Sequence, residues 1–397
     1  MNNSILPTYN RSNLSFERGE GSWLETKSGE RYLDFSSGIA VNSLGHCHPK
    51  LVQAITDQAS KLWHTSNLHR IDLQEKLADF LVSNSFADKI FFTNSGAESV
   101  ECAIKIARKF FYEKGNKKKN KIITFEGSFH GRTLGTIAAS GEKKLTRGFE
   151  PNLQGFDRVP IKNLDKIYEL ISERTAAILI EPIQGEGGIR CFEREFIKEL
   201  RKICNENDSL LIFDEVQCGI GRTGTLFAYE NFNVVPDIVA IAKGLGGGFP
   251  IGACLATEEA SIGMVYGTHG STYGGNPLAC AVAYAVLKEI TNDGFLDNVI
   301  RNAIILQQKL SQVIDEYPDI FEDVRGEGLM LGLKCRVDSS EVVRAGYDER
   351  ILCVGAADNV VRILPPLNIS ESDIQLGINK LEKIAKKILR KRDNGAT

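Results

Sequence analysis

No apolar run in this sequence is long enough to span a bilayer. None of the nine cysteines stands in a CxxC pair, and their number is odd. That argues against a disulfide framework or a zinc ribbon and for a reducing cytoplasm. Charge bias is also missing. Lys and Arg number 48 against 51 Asp and Glu, a net charge of -3, so neither nucleic acid nor a membrane surface is expected as a partner. The one basic run, Lys117-Lys118-Lys119-Asn120-Lys121, reads as a solvated loop. MNNSILPTYNRSNLSFERGEG carries no basic stretch followed by an apolar one, so no signal peptide is expected. Internal repeats and low-complexity linkers are lacking too. What remains is an ordinary globular composition, 42% hydrophobic and 25% charged over 397 residues. That length suffices for two domains and a sizeable core.

Five segments read as buried strands: KIFFTN (89–94), KIITFE (121–126), AAILIEP (176–182), SLLIFDEV (209–216) and DIVAIAK (237–243). Helical segments separate them. In 99–115, Val100, Ala103, Ile104, Ala107, Phe110 and Phe111 recur at helical spacing, and 194–207 reads likewise. Continuous apolar strands alternating with helices predict a mostly parallel sheet covered on both faces. Residues 14–60 have a turn-rich antiparallel pattern, with turns at Gly21 and Ser28-Gly29. After about Asn298, a long amphipathic helix is followed by segments that suggest helices over a small antiparallel sheet. The predicted class is α/β. A large domain (61–297) is flanked by a smaller α+β domain assembled from both termini (1–60 and 298–397).

Ligands of such sheets bind beyond the carboxyl ends of the strands, and three features fall there. Thr93-Asn94-Ser95-Gly96-Ala97-Glu98 is a small-residue loop opening a helix. Its free N–H groups suit a phosphate, although an ordinary N-cap by Ser95 explains the loop as well. Asp214 and Glu215 end a buried strand. An acid there can hold a cationic ring nitrogen, or can simply cap a helix. Lys243 ends the next apolar strand, before Gly244, Gly246, Gly247 and Gly248. A desolvated lysine has a lowered pKa and can condense with an aldehyde. Phosphate loop, ring-nitrogen acid and aldehyde-binding lysine together are what pyridoxal phosphate requires. Two motifs are decoys. Gly219-Ile220-Gly221-Arg222-Thr223-Gly224 matches GxGxxG but precedes no good helix, and no acid follows at the end of a second strand. His46-Cys47-His48 has no distant third ligand, so no metal is expected.

Eight motifs then bring in a known family: GHCHP (45–49), FFTNSGAES (91–99), FEGSFHGRT (125–133), EPIQGEGG (181–188), IFDEVQCGIGRTG (212–224), AIAKGLGGGFPIGA (240–253), HGSTYGGNP (269–277) and VRILPPL (361–367). Over nearly its whole length the chain resembles the class III (subgroup II) pyridoxal-phosphate aminotransferases, of fold type I. The resemblance implies pyridoxal 5'-phosphate as cofactor and a homodimer with shared active sites. It implies Lys243 as the amine that bonds the cofactor aldehyde and Asp214 as partner of the ring nitrogen. Val216 and Gln217 would lie beside the ring, Phe129 would stack on it, and Ser95, Gly96 and Ala97 would form the phosphate cup. Thr272 would reach the other subunit's phosphate, with Ser271 near the substrate.

For substrates the resemblance implies N2-acetylornithine and 2-oxoglutarate, a step of arginine biosynthesis. Arg132 would hold the donor's α-carboxylate and Arg362 a carboxylate of glutamate. Glu186 would neutralise Arg362 when the donor lacks a second carboxylate. Family members acting on ornithine carry a tyrosine that meets the free α-amino group. That position here is Ile39, which cannot accept a hydrogen bond from an ammonium. Succinylated diamines, ornithine and 4-aminobutyrate remain as alternative donors.

Overall fold

A computed structural model describes residues 4–395, with side chains through Arg392. Its largest element is a seven-stranded sheet. Across the sheet the strands run Lys89–Thr93, Gly252–Ala256, Ile238–Ile241, Leu210–Asp214, Thr175–Ile180, Lys121–Phe125 and Phe156–Val159. All pairings are parallel except the two made by Gly252–Ala256, which runs antiparallel to both neighbours. The five expected strands are present. Phe156–Val159 and Gly252–Ala256 complete the sheet beyond that expectation.

Alternating side chains leave each strand toward opposite faces. Ile178, Ile180, Phe213, Val239 and Ile241 pack into one cluster, which includes Phe196, Ile197, Leu200 and Ile203 of the helix Arg194–Glu206. Ala177, Leu179, Ile212, Ile238 and Ala240 pack into the other, under Val100, Ala103, Ile104, Ala107, Phe110 and Phe111 of the helix Gly96–Glu113. Helices on both faces explain why these strands read as unbroken apolar runs.

The terminal regions form two smaller sheets. Phe16–Glu20, Trp23–Thr26 and Arg31–Asp34 pair antiparallel, and Ile351–Leu352 from the C-terminal region adds to the third in parallel. The second sheet is antiparallel throughout, in the order Phe321–Glu327, Met330–Cys335, Val360–Ile363, Val354–Ala356. The long helices Phe295–Glu316 and Glu371–Gly395 pack together beside it. Among the described residues, no helix is long and apolar enough to cross a membrane.

Two local conformations matter for the site. Ser37, Gly38, Ile39 and Ala40 all have positive φ, between 46° and 65°. Only Gly38 takes this left-handed turn without cost. For a side chain such as Ile39 it costs about 1–2 kcal/mol. Asp34 holds the turn. Its Oδ1 accepts from the N–H and hydroxyl of Ser36 and from the N–H of Ser37, and its Oδ2 pairs with His46 Nε2 at 2.8 Å. His46 therefore serves this brace, and no group of three metal-ligating side chains occurs among the described residues. Lys243 likewise has a φ of 43°. It lies just beyond its strand, as the first residue of a short 3-10 turn, Lys243–Gly246. Gly247 (φ 54°) and Gly248 (φ 121°) then turn the chain back toward the antiparallel strand.

Candidate active site

A cavity of about 400 Å³ opens at the carboxyl ends of the parallel strands. It is lined by the loop 94–97, Phe129 to Arg132, Glu181, Glu186, Asp214, Val216, Gln217 and Lys243. The three features read from separate strands thus converge on one space.

Ser95 precedes the helix Gly96–Glu113 and its hydroxyl accepts from Glu98 N at 3.3 Å. The capping role is therefore real. It leaves the N–H groups of Gly96 and Ala97 without intrahelical acceptors, facing the cavity with the positive end of the helix dipole. Glycine is required at 96 for space: an added Cβ would lie 2.5 Å from Val216 Cγ1. Val216 thereby packs the loop at Gly96 against the strand end that carries Asp214.

Asp214 is 3% exposed. Its Oδ1 accepts from Val216 N at 3.0 Å, and its Oδ2 lies 2.8 Å from His130 Nδ1. His130 Nε2 is buried without a partner. Close by, Glu181 accepts from the backbone N–H groups of Phe129 (2.7 Å) and Gly185 (3.3 Å). Burial, and then the neighbouring Asp214 charge, raise its pKa well above the usual carboxylate range. His130 and Glu181 lie inside the recognised motifs, yet sequence spacing assigned them no role. Only the tertiary fold brings them to Asp214. Glu215, the adjacent acid, turns the other way and caps the 3-10 turn Ala228–Phe232 by accepting from Ala228 N and Tyr229 N.

Lys243 is half-buried, and its Nζ has no hydrogen bond or ion pair among the described residues. Burial lowers its pKa to about 8; Glu186 works against that and Arg362 with it. The result is an amine that loses its proton near pH 8, with a substantial unprotonated fraction already present a little above neutrality.

The two arginines differ. Arg362 is 1% exposed. It donates from Nη1 to Glu186 Oε1 at 2.6 Å and to Gln217 Oε1 at 3.4 Å, and from Nη2 to Gly355 O at 2.9 Å. Arg132 is exposed, stands 5.4 Å over the Phe129 ring, and has no hydrogen bond or ion pair among the described residues. One cation is thus neutralised by a carboxylate, and the other is open to an incoming anion.

Three of the expected residues lie elsewhere in the single chain. Ser271 and Thr272 line a separate cleft beside Glu98 and His269, joined to the main cavity's lining only through Asn94. Asn94 Nδ2 donates to Ser271 Oγ at 3.3 Å. Ile39 is not part of the cavity lining. The left-handed turn carries it into a small apolar cluster with Ile183 and Val354, and Val41 lines the cavity instead. The GxGxxG segment is structural. Its Arg222 is 2% exposed and donates from Nη1 to the carbonyls of Leu329 and Pro365.

These residues fit pyridoxal phosphate. Free helix N–H groups await an anion, a buried carboxylate with open lone pairs awaits a ring N–H, and an unpartnered amine awaits an aldehyde.

Comparison with known proteins agrees. The family described as "Aminotransferase class-III" matches residues 7–385. A relative from Agrobacterium fabrum, named acetylornithine aminotransferase, is 57% identical over 96% of each chain. One of the same name from Clostridium acetobutylicum is 47% identical over 96% of this chain and 99% of its own. Among solved structures, the N-acetylornithine aminotransferase of Stenotrophomonas maltophilia superposes with a TM-score of 0.85 at 36% identity, over 96% of this chain and 98% of that one. The ornithine aminotransferase of Toxoplasma gondii, whose active site is described as partly occupied by the cofactor, gives 0.93 at 30% identity, over 97% and 93%. The chain belongs to the class III aminotransferases, enzymes of fold type I that work with pyridoxal phosphate.

Proposed function

We propose that this class III aminotransferase moves the terminal amino group of N2-acetylornithine to 2-oxoglutarate, yielding N-acetylglutamate 5-semialdehyde and glutamate. The unequal pair of arginines carries the reading. Arg132 is free to take the donor's single carboxylate through two parallel N–H donors. Arg362 stays neutralised by Glu186 while that donor is bound. When 2-oxoglutarate or glutamate enters with a second carboxylate, Glu186 yields Arg362 to it. Val41 on the cavity wall offers no acceptor to a free α-ammonium, which favours an acylated amine. The names of the relatives point the same way.

The cofactor, when bound, supplies an electron sink for the carbanion. Gly96 and Ala97 would hold its phosphate, Asp214 its ring nitrogen, and Phe129 its ring face, with Gln217 near the ring hydroxyl. Lys243 Nζ removes a proton from the donor carbon that bears the amine and returns one during the exchange. His130 and Val216 fix both oxygens of Asp214, and burial of Glu181 disfavours a second negative charge there. The second half-reaction runs the same proton movements in reverse.

A homodimer is part of this proposal. Ser271 and Thr272 lie outside their own chain's cavity, on a surface that also exposes Trp63 (65%), Tyr273 (61%) and Tyr266 (99%). A second copy would cover that surface and receive the two hydroxyls. Nine free cysteines suit a reducing, cytoplasmic setting.

Donor profiling tests the reading. Comparing kcat/KM for acetylornithine, ornithine, N-succinyl-diaminopimelate and 4-aminobutyrate should place acetylornithine well above free ornithine. A preference for free ornithine overturns it.

A further inference from the structure

Phe129, Arg132 and Glu186 line a second chamber as well as the cavity that holds Lys243. The two spaces therefore adjoin across these three side chains. The outer one has a volume of about 420 Å³ and is also lined by Glu142, Lys144 and Leu145.

Substrate stereochemistry decides what enters it. A donor with its terminal amine at Lys243 and its α-carboxylate on Arg132 carries the acyl group on the α-nitrogen, one atom from the carbon that bears that carboxylate. The acyl group must then lie beside Arg132, on the outer side. The three heavy atoms of an acetyl group occupy only about 90 Å³ at water-like density, so the chamber has room for a longer group.

The walls have a sign. Glu186 is engaged by Arg362. Glu142 accepts from Gly127 N at 3.3 Å. Lys144 is exposed and has no hydrogen bond or ion pair among the described residues. Its neighbour Leu145 is buried, which anchors the segment at the rim. Two unpaired cations, Arg132 and Lys144, thus face one carboxylate that is already an acceptor. A neutral acyl group uses only the first of these cations.

We propose that Lys144 is a specificity-determining residue, which favours donors whose N-acyl group ends in a second carboxylate, such as a succinyl group, over acetylated ones. This rests on the proposed transamination of N-acylated diamines. The bland alternative is a solvated surface lysine, and the two differ in one measurable ratio.

The experiment measures kcat/KM for N2-succinylornithine and N2-acetylornithine with wild-type holoenzyme, Lys144→Ala, Lys144→Glu and Lys144→Arg. The succinyl-to-acetyl ratio should fall about fivefold in Lys144→Ala, the upper end for a solvent-exposed ion pair. It should fall further in Lys144→Glu and recover in Lys144→Arg, with the change carried by KM. In the wild type the ratio should drop as salt rises from 0.05 to about 0.5 M, because exposed pairs are screened. A ratio that Lys144→Ala and Lys144→Glu leave unmoved overturns the inference while the acyl-diamine reading stands. If neither acylated donor turns over, while ornithine or 4-aminobutyrate does, the reading falls and the inference falls with it.

Discussion

Lys243 should titrate near pH 8, and that titration can be followed without any turnover. The perturbation is acylation of the cofactor-free protein by a trace of amine-selective anhydride, quenched early and read at Lys243 by mass spectrometry over pH 6 to 11. Only the unprotonated amine reacts. With a pKa of about 8 in place of 10.5, about a quarter of Lys243 is reactive at pH 7.5, against about one in a thousand for an ordinary lysine. The same drop corresponds to about 3 kcal/mol of differential interaction. Burial is its first cause, so neither neighbour alone should abolish it. Arg362→Gln removes a lowering influence and should move the midpoint up; Glu186→Gln removes a raising one and should move it down. Stability follows with a definite sign. Between about pH 8 and 10.5 the unfolded chain keeps the proton that the folded chain has lost, so this group makes stability rise with pH across that window. Buried thiols such as Cys280, pushed up to about 12 by burial, act in the opposite sense. The lysine's share is therefore read as the difference between wild type and Lys243→Met. A midpoint at 10.5 for Lys243 would refute the reasoning, since a solvated amine could not serve as the base near neutrality.

Gly96→Ala should weaken cofactor binding tenfold or more in equilibrium titration, because the new Cβ meets Val216 at 2.5 Å; the double variant Gly96→Ala/Val216→Ala should recover much of the loss. Glu186→Gln should slow the donor half-reaction about tenfold in single-turnover kinetics while sparing the glutamate half, since Arg362 would lose its charged partner only when no second carboxylate replaces it. Asp34→Ala should lower unfolding free energy by about 3 kcal/mol in urea titration, because three donors of the left-handed turn lose their acceptor.

Much of this was legible in the sequence. Strands buried on both faces announce themselves as apolar runs, and Leu210–Asp214 with Ile238–Ile241 did so. Phe156–Val159 did not, because at the sheet's edge an exposed arginine and a half-buried aspartate interrupt its pattern. Gly252–Ala256 was hidden by small residues after a glycine cluster, where the chain reads as a continuing loop. Lys243, Asp214 and the Ser95 loop stood out because each places unusual chemistry at a strand end. His130 and Glu181 do not advertise themselves that way. A buried His–Asp pair 84 positions apart is a product of sheet order, which no local spacing encodes. Ile39 illustrates the opposite limit. Its identity was correctly read as apolar, but a run of positive φ angles turns it out of the cavity and brings in Val41.

The antiparallel strand Gly252–Ala256 also orders events in time. Lys89–Thr93, which leads into the helix Gly96–Glu113, pairs among the described residues with no strand except Gly252–Ala256. On the ribosome, Lys89–Thr93 therefore emerges long before Gly252–Ala256. Contacts so distant in the chain close slowly, and until then that edge stays unpaired and prone to wrong pairing. The same late strand follows Lys243 by only a few residues. Its docking sets the lysine's loop and the loop at Ser95 in one stroke, so the two proposed cofactor anchors become available together. A nascent chain released before residue 252 would leave the edge of Lys89–Thr93 unpaired and the two proposed cofactor anchors unjoined, so cofactor capture would report that this strand has docked.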